Sequence, residues 1–247
     1  FLQQKGPMSF QQGQTFKVLD HGYVKLINWM GDDTEVIKSA RMSTGRGFEG
    51  WDPGTICKHC RIRQDEVETL NPDLCVTEDG GGIEHEWEPT RGDLVLLEYL
   101  LANRHTTPFE MCELVIEVQA PIMVFREWMR HRTQSYSEFS ARYAQMPNIH
   151  YIPEMGRIQK QSKSNKQGSG DALSFDDALA IAAMLGEEQQ GVYRSYDKMV
   201  ADGIAKEIAR INTPVSRYSK MRAKTDLWNW LGFLNLREDA AAQWEIR

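Results

Sequence analysis

The sequence predicts an α+β fold in which a mixed, largely antiparallel sheet is flanked by helices. Helical and alternating apolar patterns follow one another without the strand–helix–strand rhythm of a parallel sheet. The 247 residues, 41 % hydrophobic and 26 % charged, are sufficient for a globular core. A Gly-x-Gly-x-x-Gly fingerprint is absent, so the sequence does not predict a Rossmann-type nucleotide site.

The elements of the N-terminal half follow from local patterns. Residues 22–29 are β-rich and predict a strand, and the aspartates at the start of 32–40 supply the N-cap of a helix. Residues 45–90 lose periodicity, are rich in glycine and acidic residues, and hold three of the four cysteines, which indicates an insertion or a long irregular loop. Apolar spacing over 93–106 predicts a helix that ends at a Thr-Pro pair. Strict alternation over 112–119 predicts a strand with one drier face.

The C-terminal half contains longer helical patterns. Its patterns predict a helix over 121–132 and then a polar surface loop over 158–171. Helices over 176–199 and 204–211 follow, and after them a strand over 215–221 and a helix over 226–236. Together the two halves predict a single domain over residues 15–247, with the insertion at 45–90 and an N-terminal tail over 1–14.

Charge and composition exclude several classes of protein. With 29 basic and 35 acidic residues the net charge is −6, which disfavours a generally basic nucleic-acid binder. No apolar run approaches the roughly 18 residues that a membrane span requires. Four cysteines are too few for a disulfide scaffold of this size. We therefore expect a soluble cytoplasmic protein that binds neither nucleic acid nor a membrane.

A cluster of basic side chains stands out in this acidic chain. Arg126, Arg130, Arg132 and Arg142 lie close together in the sequence, and His131 lies among them. Guanidinium groups bind phosphate through two parallel hydrogen bonds, so this density indicates a phosphorylated ligand. The alternative explanation is a network of surface ion pairs with the glutamates at 127 and 138.

The string Arg130-His131-Arg132, followed by seven residues and Ser140, resembles the signature of the flavin-dependent thymidylate synthases. The wider match runs over residues 126–143. Further blocks occur in the family's order at residues 40–43, 105–110, 209–210, 233–237 and 242–245. The resemblance covers the chain from about Leu19 to its last residue, apart from the region 45–90.

The resemblance implies a specific activity. Enzymes of this family convert dUMP to dTMP, take the methylene carbon from methylenetetrahydrofolate, and receive reducing equivalents from NADPH through FAD. They use no cysteine nucleophile on the pyrimidine. They are homotetramers in which each active site draws residues from several subunits, and their fold is of the α+β class.

The resemblance also assigns roles to individual positions. Arg237 resembles the catalytic arginine that stabilises negative charge at pyrimidine N3, and we expect Glu238 and Asp239 to orient it. The positions that match the family's flavin site are Ser43, His105, Thr107, Glu110, Arg130, His131, Arg132, Glu138, Asp226 and Trp228. The positions that match its dUMP site are Glu127, Arg130, Glu138, Ser140, Arg142, Arg210 and Arg237. Among these, Ser140 and Arg142 match the phosphate contacts.

The cysteines suggest two further interpretations. Cys57 and Cys60 have the spacing of a zinc knuckle, with Cys75 and His85 further along, but no second Cys-x-x-Cys or His pair follows. Thiols without a metal are therefore the favoured interpretation, and no metal site is predicted. Cys112 lies on the drier strand face and is expected in the core. Two rival functions remain, namely a phosphate- or nucleic-acid-binding module without catalysis, and a cysteine-dependent methyltransferase.

Overall fold

The computed structural model describes residues 11–70, 75–76, 82–164 and 168–247, without the side chains of residues 68–70 and 75–76. Most of the predicted tail over 1–14 lies outside the described residues. The chain divides into two compact units. The sheet unit comprises residues within 1–28, 114–225 and 229–247, and the insertion unit comprises residues 29–113 and 226–228. The single-domain description of residues 15–247 stays a prediction.

The sheet unit is organised around a five-stranded sheet. Its strands are β1 (Thr15–Val18), β2 (Gly22–Met30), β7 (Glu113–Pro121), β8 (Ser135–Glu138) and β11 (Tyr218–Asp226). Their order across the sheet is β1-β2-β7-β11-β8. The β1–β2 and β8–β11 pairs are antiparallel, and Glu138 lies opposite Met221. This confirms the predicted α+β class and the predicted strand over 22–29. The strand predicted over 215–221 begins and ends later, because residues 214–217 form a hydrogen-bonded turn before it.

The sheet unit also contains helices. They are α5 (Ile122–Trp128), α6 (Phe175–Ala201), α7 (Lys206–Ala209) and α8 (Leu227–Arg237). The buried cluster between helices and sheet includes Val118, Phe125, Trp128, Trp230 and Phe233. This cluster fixes α5 and α8 against the same face, and both helices carry predicted site residues at their C-terminal ends.

Two predictions for the sheet unit need correction. The helix predicted over 121–132 ends at Trp128, since the backbone tightens there into i→i−3 hydrogen bonds from Arg130 to Glu127 and from His131 to Trp128. The region predicted as a loop over 158–171 contains an exposed hairpin of β9 (Gln159–Gln161) and β10 (Ser169–Ala172). Both strands are made mostly of polar residues, so no alternation of apolar and polar residues predicts this hairpin.

The insertion unit contains regular structure. Its elements are α1 (Asp33–Arg41), β3 (Gly54–Cys57), α2 (Gln64–Leu70), β4 (Cys75–Val76), β5 (Gly82–Ile83), β6 (Trp87–Thr90), α3 (Asp93–Ala102) and α4 (Thr107–Glu110). As predicted, Asp32 caps α1, accepting hydrogen bonds from the N–H groups of Thr34 and Glu35. The irregular-loop interpretation of 45–90 is wrong in the described part, because β3 and β6 form an antiparallel ribbon. No helix within the described residues combines the length and the apolar composition needed to cross a bilayer.

Buried ion pairs hold the insertion unit together. Arg41 contacts the Oε1 atom of Glu49 at 2.7 Å and the Oδ1 atom of Asp93 at 2.5 Å. Arg61 contacts Glu49 and, at 2.6 Å, Glu88. The Glu49 N–H also donates to Asp93 at 2.6 Å. These charged residues link α1, α3 and the β3–β6 ribbon without any hydrophobic periodicity, so the apolar pattern of the sequence does not predict this order.

Candidate active site

The predicted arginine cluster lies at the C-terminal end of α5 and in the turn that follows. Arg126, Arg130 and Arg132 are all exposed, and none of them forms an ion pair with another described residue. The neighbouring carboxylates are used elsewhere. Glu127 pairs with Arg237, and Glu138 accepts a hydrogen bond of 2.8 Å from the Ser219 hydroxyl. The alternative explanation, a network of surface ion pairs between these arginines and Glu127 or Glu138, is therefore wrong.

Three predicted site residues meet in one constellation. Arg237, the last residue of α8, donates from Nε to Nε2 of His131 at 2.9 Å, and its Nη1 contacts Oε1 of Glu127. The Arg237 side chain is only 13 % exposed, so its guanidinium is held in place. The expectation that Glu238 and Asp239 orient Arg237 is wrong among the described contacts, since α8 directs the guanidinium back toward α5.

The contact with Arg237 defines the protonation state of His131. A guanidinium N–H can only donate, so the Nε2 atom of His131 accepts and the neutral ring carries its proton on Nδ1. Burial lowers the pKa of His131, and the charge of Arg237 lowers it further, while Glu127 opposes the shift. His131 is therefore neutral at physiological pH and serves as an acceptor that positions Arg237.

Sequence reasoning missed the residues that position His131. The Tyr136 hydroxyl donates to the backbone carbonyl of His131 at 2.6 Å, and the ring of Phe233 lies 4.7 Å from the imidazole in an edge-on arrangement. Buried Gln134 accepts from the indole N–H of Trp128 at 2.8 Å. The sequence shows only that a Gln follows a Trp by six residues. It predicts neither the burial of Gln134 nor the hydrogen bond between the two side chains.

The positions predicted for the nucleotide phosphate also lie in the sheet unit. The backbone N–H of Arg142 donates to the Ser140 hydroxyl at 3.3 Å, and the Arg142 guanidinium lies 3.1 Å from the carboxylate of Glu207 on α7. Arg210 follows the last residue of α7 and is half-buried. The two segments share a small buried cluster formed by Ala141, Met146, Tyr196 and Ala209. That cluster brings the Ser140–Arg142 segment and Arg210 into one region.

The remaining flavin-site positions lie in the insertion unit. They are Ser43, His105, Thr107, Glu110, Asp226 and Trp228. Ser43 lies in the 3-10 turn after α1, whereas Thr107 and Glu110 are the first and last residues of α4. The ring of Trp228 packs 5.9 Å from the ring of Phe109 on α4. The structure thus gathers α4 and the segment 226–228 in one unit, although they are far apart in the sequence.

The donors in the sheet unit suit an anionic nucleotide ligand. The exposed guanidinium groups at positions 126, 130 and 132 form no ion pair with any residue that the structure describes, and they present N–H forks of the geometry that phosphate accepts. The Ser140 hydroxyl is a further donor. The guanidinium of Arg142 becomes another when a ligand replaces its contact with Glu207. This donor set fits the phosphate groups of dUMP or of a flavin dinucleotide.

Comparison with known proteins gives consistent results. The family model described as "Thymidylate synthase complementing protein" matches residues 25–247. The flavin-dependent thymidylate synthase of Wolbachia pipientis wMel is 38 % identical over 231 residues, which cover 94 % of this chain and 68 % of that protein. The enzyme of the same name from Gluconobacter oxydans (strain 621H) is 37 % identical over 235 residues, which cover 94 % of this chain and 65 % of that protein. The chain thus spans about two thirds of the length of these curated relatives.

A solved structure agrees with this result. The UMP/dUMP methylase PolB from Streptomyces cacaoi, bound with 5-Br dUMP, is 28 % identical to this chain with a TM-score of 0.65, covering 94 % of this chain and 87 % of that one. The family model covers most of the chain, and the relatives match it at well above 30 % identity. The chain therefore belongs to the family of flavin-dependent thymidylate synthases.

Proposed function

We propose that this protein methylates dUMP to dTMP with FAD as its flavin, methylenetetrahydrofolate as the carbon donor and NADPH as the reductant. The observation that carries the proposal is Arg237, held between Glu127 and neutral His131 in a chain of this family. The names of the relatives, flavin-dependent thymidylate synthase and UMP/dUMP methylase, support the same chemistry. The flavin, when bound, supplies the redox chemistry that completes the methyl group.

Arg237 has the donors needed to activate the pyrimidine. Of its five N–H groups, one binds His131 and one binds Glu127, which leaves three for a ligand. Carbon C5 of the pyrimidine becomes nucleophilic when negative charge develops at N3 and O4. A fixed guanidinium beside those atoms stabilises that charge in the transition state without having to reorganise. Arg237 is the proposed catalytic residue.

Glu127 and His131 act on this guanidinium in different ways. The carboxylate of Glu127 fixes one edge and offsets part of the positive charge, whereas neutral His131 accepts a hydrogen bond without adding charge. A protonated His131 could not accept from Nε and would repel Arg237. Keeping the imidazole neutral therefore preserves both the position of Arg237 and its capacity to meet an anion.

The phosphate of dUMP is proposed to bind Ser140, Arg142 and Arg210. In the structure the Arg142 guanidinium contacts Glu207, and both side chains are more than half exposed. Such an exposed pair contributes about 0–1 kcal/mol, so a phosphate dianion can replace the carboxylate at little cost. Glu138 and Arg130 complete the proposed nucleotide contacts.

The flavin is proposed to contact two sets of residues. The sheet unit contributes Arg130, His131, Arg132 and Glu138. The insertion unit contributes Ser43, His105, Thr107, Glu110, Asp226 and Trp228. We further propose a cytoplasmic homotetramer with active sites shared between subunits, as the resemblance implies.

A spectroscopic and product assay tests the proposed function. The purified protein is expected to show the visible absorption of an oxidised flavin, or to acquire it when FAD is added. With dUMP, methylenetetrahydrofolate and NADPH it should form dTMP, measured by chromatography. A parallel reaction with UMP tests tolerance of the ribose 2′-hydroxyl, because the structural relative is named for both nucleotides. A protein that takes up no FAD and forms no dTMP would instead be the binding module, and dTMP formation without flavin would indicate the cysteine-dependent chemistry.

A further inference from the structure

Three side chains of the insertion unit converge outside the proposed nucleotide and flavin sites. The two sulfur atoms of Cys57 and Cys60 and a ring nitrogen of His85 all lie within 4.8 Å of one another. Cys57 is completely buried, and the other two residues are half-buried. The sequence alone favoured thiols without a metal, because His85 is 25 residues from Cys60 and its proximity depends on the fold.

The β3–β6 ribbon creates this proximity. Cys57 is the last residue of β3 and pairs with Trp87, the first residue of β6. The Lys58 N–H donates to the carbonyl of Glu86 at 2.8 Å, which extends the pairing beyond the ribbon. The residue before Glu86 is His85, and it therefore lies beside the turn that carries the two thiols.

Backbone hydrogen bonds close the turn around the two cysteines. The Arg61 N–H donates to the Cys57 carbonyl at 3.1 Å, and the Cys57 N–H donates to the Ile62 carbonyl at 2.9 Å. Arg61 adopts a left-handed conformation with φ of 58°, which reverses the chain directly after Cys60. The turn is therefore defined by backbone contacts as well as by its side chains.

The distances suit a tetrahedral metal ion. The Sγ atom of Cys60 lies 3.7 Å from Nδ1 of His85. Zn–S and Zn–N bonds of about 2.3 and 2.1 Å at a tetrahedral angle place sulfur and nitrogen about 3.6 Å apart. The ring of His85 stacks on Trp87 at 4.9 Å between centroids and 18° between planes, which fixes the direction of Nδ1. Two thiolates and an imidazole form a donor set that selects Zn²⁺.

The surroundings of Cys57 favour a thiolate. The His59 N–H donates to its sulfur at 3.4 Å. A backbone N–H directed at the sulfur stabilises a thiolate, which is the form that binds a metal.

We propose that Cys57, Cys60 and His85 bind a structural Zn²⁺ that fastens the turn after β3 to the segment before β6. Zinc prefers four ligands in structural sites. Cys75 is the remaining cysteine of the region 45–90, and its side chain lies outside the described residues. Substitution of Cys75 tests whether it supplies the fourth ligand. The ion would add a cross-link between these two segments, because binding energy at a structural metal site contributes to folding.

Metal analysis of the full chain tests this proposal. Protein purified with a reductant is expected to contain about one zinc per chain by mass spectrometry of metals, and chelated protein should bind Co²⁺ with the visible spectrum of a tetrahedral thiolate site. Cys60→Ser and His85→Ala should each weaken zinc binding by roughly 100-fold or more, since even the loss of an outer-shell partner costs about 10- to 100-fold. His85→Cys should restore binding, because a thiolate replaces the lost donor.

Two matched variants serve as controls. Cys112→Ser removes a buried thiol that contacts the Asp32 carbonyl, and His59→Ala removes an imidazole of the same turn that faces Glu86. Both should retain zinc. Cys75→Ser tests the fourth ligand. Weakened zinc binding would identify Cys75 as that ligand, and retained zinc binding would identify a water molecule. Either result supports the three-residue site.

Three results would overturn the proposal. The first is reduced wild-type protein that contains no zinc and takes up no Co²⁺. The second is unchanged zinc affinity in Cys60→Ser or His85→Ala, and the third is a stable Cys57–Cys60 disulfide whose reduction yields no metal binding. If a variant does not fold, hydrogen exchange of wild-type residues 54–62 and 82–90 gives the answer, because zinc should slow it. None of these readouts depends on dTMP formation.

Discussion

The two units of the molecule both contain clusters of arginine and carboxylate side chains, but the clusters are built for different purposes. In the insertion unit, Glu49 and Asp93 are 4 % and 0 % exposed in their side chains, and Arg41 contacts both of them. Each of these charges has an opposite charge beside it. In the sheet unit, Arg130 and two neighbouring arginines form no ion pair among the described residues and are open to solvent.

The two clusters differ in pairing and not in density of charge, which agrees with the proposal that the exposed arginines bind an anion. A buried charge that loses its partner destabilises the fold, so each charge of a structural cluster needs an opposite charge beside it. A site for an anion needs the opposite, namely cations whose partner is the ligand. Arg237 combines both properties, because it is held by Glu127 and His131 and still has N–H groups to donate.

Removing a carboxylate from the structural cluster should give the largest effect. Glu49→Ala leaves Arg41 and Arg61 without their shared partner, so we expect a loss of about 3–5 kcal/mol in the free energy of unfolding. Urea unfolding measures this loss, and hydrogen exchange should place it in residues 29–113. Asp65→Ala, which removes a 70 % exposed partner of Arg63, is the control and should change stability little. Equal losses in the two variants would contradict the comparison.

Removing Arg237, the proposed catalytic residue, should lower turnover. Arg237→Ala should lower dTMP formation by roughly 10²–10³-fold, the scale expected for one preorganised donor. Flavin reduction by NADPH should persist, because it does not require an activated pyrimidine. Arg222→Ala, which removes an exposed arginine paired with Glu117, is the matched control. Wild-type single-turnover rates with pre-reduced Arg237→Ala would make Arg237 a structural residue.

A conservative change at the phosphate position should have a moderate effect. Arg142→Lys keeps the charge and loses the two-pronged fork, so we expect dUMP binding to weaken by about 1–3 kcal/mol in calorimetry. Arg222→Lys makes the same change at an ion-paired arginine of similar exposure and should leave dUMP affinity unchanged. Unaltered affinity in Arg142→Lys would place the phosphate elsewhere.

The smallest of these effects concerns pH and sharpens the role assigned to His131. Burial and nearby positive charge lower the pKa values of both His131 and His150 in the folded protein. As pH falls below the ordinary value of about 6.5, the unfolded chain binds protons that the folded chain excludes, so stability decreases. His131→Asn retains an acceptor that does not titrate, and it should make this decrease shallower in urea unfolding. An unchanged slope would show that His131 is not a source of the pH dependence.

Local patterns predicted the elements whose causes are local. Asp32 caps α1 through side-chain contacts two and three residues away, and the alternation before Pro121 fixes β7. The β3–β6 ribbon was not predictable in this way. Its cluster depends on the contact of Glu49 with Asp93, 44 residues further along. The spacing of residues along the sequence does not predict a contact between positions so far apart.

The candidate site divides along the same line. The resemblance supplied the identity of the residues, Glu127, His131 and Arg237 among them. It did not supply the contact of Arg237 with Glu127, which spans 110 residues and requires α5 and α8 to pack on one buried cluster. The expectation that Glu238 and Asp239 orient Arg237 failed because sequence neighbours at a helix end need not lie on the same side as the side chain.

The pair formed by Arg142 and Glu207 has a consequence for which ligands can bind. A ligand with one negative charge offers Arg142 no more than the carboxylate of Glu207 already does, whereas a phosphomonoester with nearly two charges at neutral pH does. In the proposed function the pair therefore favours dianionic over monoanionic ligands, by no more than the roughly 0–1 kcal/mol that an exposed ion pair contributes. Glu207→Gln should narrow the affinity gap between dUMP and its monoanionic methyl ester, and an unchanged gap in calorimetry would remove Glu207 from the selection.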